Sequence, residues 1–133
     1  MQRIARGMHS LGLSFDLVFS SPYLRARESA ELVVREFGLK SSVRFTLLLE
    51  PLANSRQLVD QLKKRKGEAQ SVLLVGHEPS MTSLISLLLS GEENLMITMK
   101  KGGLCKLRVG HLRKGKCASL EWLLTPRQLS RIE

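Results

Sequence analysis

The run Ser71-Val72-Leu73-Leu74-Val75-Gly76 carries no charge and places four aliphatic residues in succession. A strand with one wet face alternates apolar and polar residues, whereas one covered on both faces does not, and strands of the second kind belong to parallel sheets flanked by helices. The run therefore points to an α/β architecture. Its surroundings agree. Ile4, Met8 and Leu11 recur at helical spacing up to a stop near Gly12, and Phe15 to Ser20 reads as a short buried strand. Ser21-Pro22 then matches an N-cap followed by proline at the first helical position, with an apolar stripe of Ala26, Ala30, Val33 and Phe37 running to Gly38. Val43, Phe45, Leu47 and Leu49 read as a further strand, and Pro51 to Asn54 as a loop. Ser55 is placed to cap a helix that buries Leu58, Val59 and Leu62, and another helix carries Met81, Leu84, Ile85 and Leu88 toward Gly91. Leu104 to Val109 and Cys117 to Leu124 form a hairpin around the basic turn Gly110 to Lys116.

The order α-β-α-β-α-β-α-β-β predicts a three-layer αβα sandwich around a mostly parallel sheet, closed by a C-terminal antiparallel hairpin. With 133 residues, 43% of them apolar, the chain reads as a single domain over 1–133 with a real core. The longest apolar runs, Val72–Val75 and Leu87–Leu89, fall far short of the roughly 18–20 residues of a membrane span. Met1 to Arg6 lacks the apolar stretch of a secretory signal, so a cytoplasmic protein without membrane contact is expected. Cys105 and Cys117 are read as reduced, small, buried side chains with no metal-ligand spacing, and no cofactor is expected.

Lys and Arg number 21 against 12 Asp and Glu, a formal net charge of +9 that favours polyanions of any kind. The run Lys63-Lys64-Arg65-Lys66 sits where positive charge complements a helix C-terminus and reads as a solvated helix end. Aromatic residues make up only 5% of the chain, leaving few stacking platforms for nucleic acid.

Two places break local rules, each where a strand's C-terminal end meets a helix, the rim at which open α/β sheets bind ligands. Ser20-Ser21-Pro22-Tyr23-Leu24-Arg25-Ala26-Arg27 puts two arginines in the first turns of a helix whose N-terminus is already positive. An anion held by helix amides and a guanidinium fork reconciles this, and surface pairing with Glu28 and Glu31 is the competing reading. Gly76-His77-Glu78-Pro79 stands a histidine at the tip of the buried strand after a glycine that permits a tight turn. His9 and His111, on a helix and in a turn, are read as structural. Glu50, following a strand, is a candidate general acid at the same rim, with Glu78 as its competitor.

The segment from Phe15 to Glu31, followed by Val72-Leu73-Leu74-Val75-Gly76-His77-Glu78-Pro79-Ser80, closely resembles the histidine phosphatase superfamily, whose fold is phosphoglycerate mutase-like; the short SixA-type phosphohistidine phosphatases fit best. The likeness runs over nearly the whole chain, including Lys101-Gly102-Gly103-Leu104 ahead of the penultimate strand. It implies that Arg25 holds phosphate, that His77 stabilises the transferring phosphoryl group, and that Ser20 joins them in phosphate binding. It also implies a histidine nucleophile in an Arg-His-Gly motif at the end of a first strand. The chain contains no such motif and starts inside the first helix of the pattern. The resemblance therefore implies an N-terminally incomplete domain, whose first strand lies between Phe15–Ser20 and Ser71–Gly76. Three accounts are open: a shortened gene product, a fragment, or a catalytically dead relative.

The activity so implied is dephosphorylation of phosphohistidine on a partner protein through a phosphohistidine-enzyme intermediate, with the chain as written inactive for want of a nucleophile. A small phosphate ester is the other substrate class, and a monomer is expected. The alternative function is a non-catalytic phosphoprotein-binding pseudophosphatase. The third is a basic nucleic-acid-binding module built on Lys63–Lys66 and Arg113–Lys116, disfavoured by the scarcity of aromatics.

Overall fold

The computed structural model describes residues 2–132. The elements run α1 (Gln2–Ser10), β1 (Leu17–Ser20), α2 (Leu24–Glu36), β2 (Arg44–Phe45), α3 (Ser55–Arg65), β3 (Val72–Val75), α4 (Ser80–Ser90), β4 (Leu104–Val109), β5 (Ala118–Leu124) and α5 (Pro126–Ser130). A single 3-10 turn, Leu47–Leu49, follows β2. β2, β1 and β3 form a parallel sheet in that order, and β4 and β5 form a separate antiparallel pair.

The alternation of side chains along β1 divides the interior in two. Leu17 and Phe19 face α3 and α4, where they meet Leu58, Val59, Leu62, Leu84, Leu87 and Leu88. Val18 and Leu73 face the opposite way, toward Met8, Ala30, Val33 and Leu129 of α1, α2 and α5. This is the expected three-layer sandwich, with helices on both faces of a parallel sheet.

β1 and β3 pair directly, Leu17 with Val72 through Ser20 with Val75. The expectation that a missing first strand separates these two is therefore wrong: their ladder leaves no room for one. The carbonyl oxygens of Ser71 and Val75 accept from Asp16 and Ser21 of the β1 side at 2.7 and 2.9 Å. By the alternation of a parallel ladder, Val72 and Leu74 turn their backbone groups to the other edge. That edge does not reach β4, because the hairpin is hydrogen-bonded only to itself among the described residues.

Several boundaries move for local reasons. Ser21 does not cap α2; its hydroxyl accepts the Tyr23 amide at 3.1 Å, forming a turn ahead of a helix whose N-cap is Tyr23. The strand expected over 43–49 shrinks to Arg44–Phe45, because the Thr46 hydroxyl accepts the Leu48 amide and starts the 3-10 turn. That turn buries Leu49 and leaves Leu47 exposed. Asn54, not Ser55, caps α3, accepting the Gln57 amide at 3.0 Å. Only Leu73 of β3 is fully buried, so the strand is covered less than its composition suggests. Both cysteines are free thiols and half-buried instead of core residues; burial pushes the Cys105 thiol up to about 11.

α5 was not anticipated. Thr125 and Gln128 form a reciprocal capping box with Pro126 at the helix start. Leu129 then inserts into the α1–α2 core.

Candidate functional site

Strands β1 and β3 end at the same rim, and the segments that follow them build the site. After β3, Gly76 leads to His77. The glycine is required by close approach and not by a left-handed backbone: a Cβ there would lie 2.8 Å from the Leu49 carbonyl oxygen and 2.8 Å from the Met81 sulfur. His77 is then held from below, its carbonyl accepting the Met81 amide and the Ser80 hydroxyl, each at 3.0 Å. Ser80 also donates to the Glu50 carbonyl, fastening the loop after the 3-10 turn to the start of α4.

A cavity of about 540 Å³ opens between β3, the first turns of α2 and the approach to β4. Arg25 and His77, from different strand-to-helix junctions, both line it, together with Lys100 and Lys101. The two lysines reach the rim through the turn at Gly102, whose φ of 84° is in the left-handed region that favours glycine. Glu78 is the acidic residue of the wall. Its carboxylate is committed to α4, accepting the Thr82 amide at 2.9 Å and the Thr82 hydroxyl at 2.6 Å. The rim is thus predominantly positive and suits an anion.

The two arginines of α2 separate. Arg27 pairs with Glu31 at 3.5 Å on the surface, while Arg25 has no ion pair among the described residues and faces the cavity. The surface-pairing reading holds for one and the anion reading fits the other.

His77 Nε2 lies 3.1 Å from the Ser21 hydroxyl, and its ring packs against Tyr23 at a centroid distance of 5.2 Å. Tyr23 donates its phenol to Glu50 at 3.0 Å. That hydrogen bond to a carboxylate, reinforced by its charge, raises the Tyr23 pKa above 10.0. Glu50 therefore belongs to the periphery of the site, tied to His77 through Tyr23. Ser20 is wholly buried, and its hydroxyl donates to the Ser21 carbonyl at 2.8 Å, away from any ligand role in this arrangement.

The other histidines lie elsewhere: His9 packs edge-on against Phe37 at 5.3 Å, and His111 is exposed in the hairpin turn. Sequence reasoning singled out Arg25, His77 and Glu50 but passed over Ser21, Tyr23, Lys100 and Lys101 as site residues. The lysines carried a usable signal, since two cations directly before Gly102-Gly103 are delivered by a turn to the neighbouring rim.

No known protein-family profile matches the chain. Its structure superposes with a TM-score of 0.77 on the protein histidine phosphatase SixA complexed with tungstate, at 23% identity over 95% of this chain and 78% of that one. A protein of Agrobacterium tumefaciens assigned as a SixA phosphohistidine phosphatase gives 0.67, at 24% identity over 92% of this chain and 75% of that one. A protein of Escherichia coli assigned as an alpha-ribazole-5'-P phosphatase gives 0.68, at 20% identity over 92% and 80%. The chain therefore has the SixA-type histidine phosphatase fold. In sequence it belongs to one family with an uncharacterized protein of Picosynechococcus sp., to which it is 30% identical over 112 residues, 83% of this chain and 67% of the relative.

Proposed function

We propose that the cavity at the C-terminal rim of the parallel sheet is the phosphoryl site of a SixA-type phosphatase directed at phosphohistidine on a partner protein. The observation that carries this reading is the convergence of Arg25 and His77, 52 positions apart in sequence (77 − 25), on one cavity that also draws in Lys100 and Lys101. Tungstate, like phosphate, is a tetrahedral oxyanion, and its presence in the SixA complex supports an oxyanion as the ligand class of this fold. Arg25 supplies a guanidinium fork that matches two phosphoryl oxygens. His77 supplies a ring nitrogen, and the lysines supply charge. Together they stabilise the negative charge spread over the phosphoryl oxygens during transfer.

Covalent transfer needs a nucleophilic group beside the phosphoryl site. Neither His9 nor His111 lines the cavity, and His77 is assigned here to stabilising the phosphoryl charge, which leaves no second histidine at the site to act as nucleophile. This placement also favours a second reading, a phosphoprotein reader that never performs the chemistry.

Calorimetric titration with inorganic phosphate tests the site. Arg25→Ala should weaken binding about 10–100-fold, the loss expected for a charged hydrogen-bonding group, with little change in stability because the side chain is exposed. Equal affinity in the variant overturns the assignment. Phosphate release from a phosphohistidine protein then separates the two readings. On the phosphatase reading it is expected from a chain that carries an Arg-His-Gly segment ahead of these residues. Turnover by the 133-residue chain alone contradicts the binding-only account, and an extended chain that binds without turnover supports the reader.

A further inference from the structure

Ser21 is wholly buried, and its polar groups can be followed one by one. Its amide donates to the Val75 carbonyl at 2.9 Å, locking the residue to the end of β3, two positions before His77. Its carbonyl accepts the Ser20 hydroxyl at 2.8 Å. Its own hydroxyl oxygen accepts the Tyr23 amide at 3.1 Å and lies 3.1 Å from His77 Nε2. A serine hydroxyl has one proton to donate and two lone pairs. One lone pair is taken by Tyr23, and His77 Nε2 is the one acceptor within reach of the proton among the described residues. Were Nε2 protonated, it would fill the second lone pair and leave a buried O–H with nothing to donate to, a state that folded proteins avoid. Donation from Ser21 to an unprotonated Nε2 satisfies every group.

We propose that Ser21 is a positioning residue for His77. Its hydroxyl donates to Nε2, fixes the imidazole as the Nδ1–H tautomer, and leaves Nδ1–H as the ring's donor to an anion in the cavity. The Tyr23 amide contributes by occupying the hydroxyl lone pair that could otherwise receive an Nε2 proton. Tyr23 also packs on the imidazole and is itself held by Glu50, so the ring is fixed from its edge and its face. The tautomer assignment stands on hydrogen-bond geometry alone, and the donor role rests on the phosphoryl reading of the cavity.

The test is nitrogen-15 NMR of the histidine ring at alkaline pH, where an ordinary imidazole is neutral. In the unmodified protein His77 should show a protonated Nδ1 and an unprotonated Nε2; a protonated Nε2 overturns the proposal, and this readout requires no variant. Ser21→Ala should move His77 to the Nε2–H form, and Ser21→Thr, which retains the hydroxyl, should restore Nδ1–H. Ser20→Ala removes an equally buried hydroxyl that does not touch His77 and should leave the ring unchanged. If Ser20→Ala and Ser21→Ala move the ring alike, the effect is general packing and the positioning role is refuted. Titration with inorganic phosphate should shift the Nδ1–H signal, and Ser21→Ala should weaken phosphate binding about tenfold, the equivalent of 1.4 kcal/mol. If the unmodified protein shows the Nδ1–H tautomer but binds no phosphate, the phosphoryl reading and the donor role fall while the Ser21–His77 hydrogen bond stands.

Discussion

The parallel sheet and the C-terminal hairpin use similar residues to different ends. Every residue of β1 is buried, whereas no residue of β4 or β5 is fully so. β1 is paired on both edges and covered by helices on both faces. Among the described residues the hairpin strands pair only with each other, and they reach the two cores through partly buried Leu104 and Leu124 on one side and Leu107 and Ala118 on the other. β3 lies between these extremes. It is more aliphatic than β1, yet one edge opens on the cavity between the two sheets, and only Leu73 is buried. Apolar composition sets how much surface a strand can bury, while the neighbours on its edges and faces set how much it does bury.

The widest expected gap in stability separates Phe19 from Leu120. Phe19 is 0% exposed, with the Arg65 guanidinium 5.0 Å above its ring, so Phe19→Ala should cost about 3–5 kcal/mol in chemical denaturation. Leu120 is 49% exposed, and Leu120→Ala should stay below about 1 kcal/mol. Similar costs at the two positions break the comparison. A middle-sized effect is expected where β3 meets the site. Gly76→Ala forces a methyl against the Leu49 carbonyl and should cost about 1–3 kcal/mol, since a backbone oxygen yields less readily than a side-chain tip. The same substitution should weaken phosphate binding by displacing His77, and an unchanged affinity would separate the strand's packing from the site.

The smallest effect belongs to the hairpin surface. Between Lys106 and Leu107 the register shifts, and the extra residue on β5, Glu121, lies 3.2 Å from Lys106 and 3.0 Å from Arg108. The hydrogen bond to Lys106, with the charges of both cations, lowers its pKa below the ordinary 4.5. A depressed carboxylate contributes stability above its unfolded value and loses it as pH falls through the folded one. The hairpin should therefore loosen slightly on acidification below 4.5, by an amount salt reduces, and amide exchange along β4 and β5 reads this directly. A salt-independent response would assign the loosening to another group.

Much of the layout was legible in the residues. The VLLV run, the stripe of α2, the path of α4 to a left-handed Gly91 and the hairpin around a basic turn were all readable, because each depends on periodicity or on a local backbone requirement. The errors fell where short polar side chains compete for the backbone. The Thr46 hydroxyl ended a strand whose alternation continued, and Asn54 took a cap for which Ser55 was equally suited. The Ser21 hydroxyl made a turn where a helix cap was expected. The capping box of Thr125 and Gln128 was written in the sequence and went unread. Arg25 and His77 stood out as local anomalies, but Ser21 and Tyr23 did not, since nothing local marks a residue whose partner lies 56 or 27 positions away.

The sequence by itself determined the class of fold, the order of its elements and the two junctions that carry charge, because periodicity, turn residues and misplaced cations act over a few residues. Only the tertiary structure decided that β1 and β3 are direct neighbours and that the open edge of β3 faces the cavity. It alone showed which arginine is paired and which faces the cavity, and that a buried serine hydroxyl lies 3.1 Å from the histidine ring. Those outcomes depend on which distant groups pack together and on the requirement that each buried polar atom find a partner.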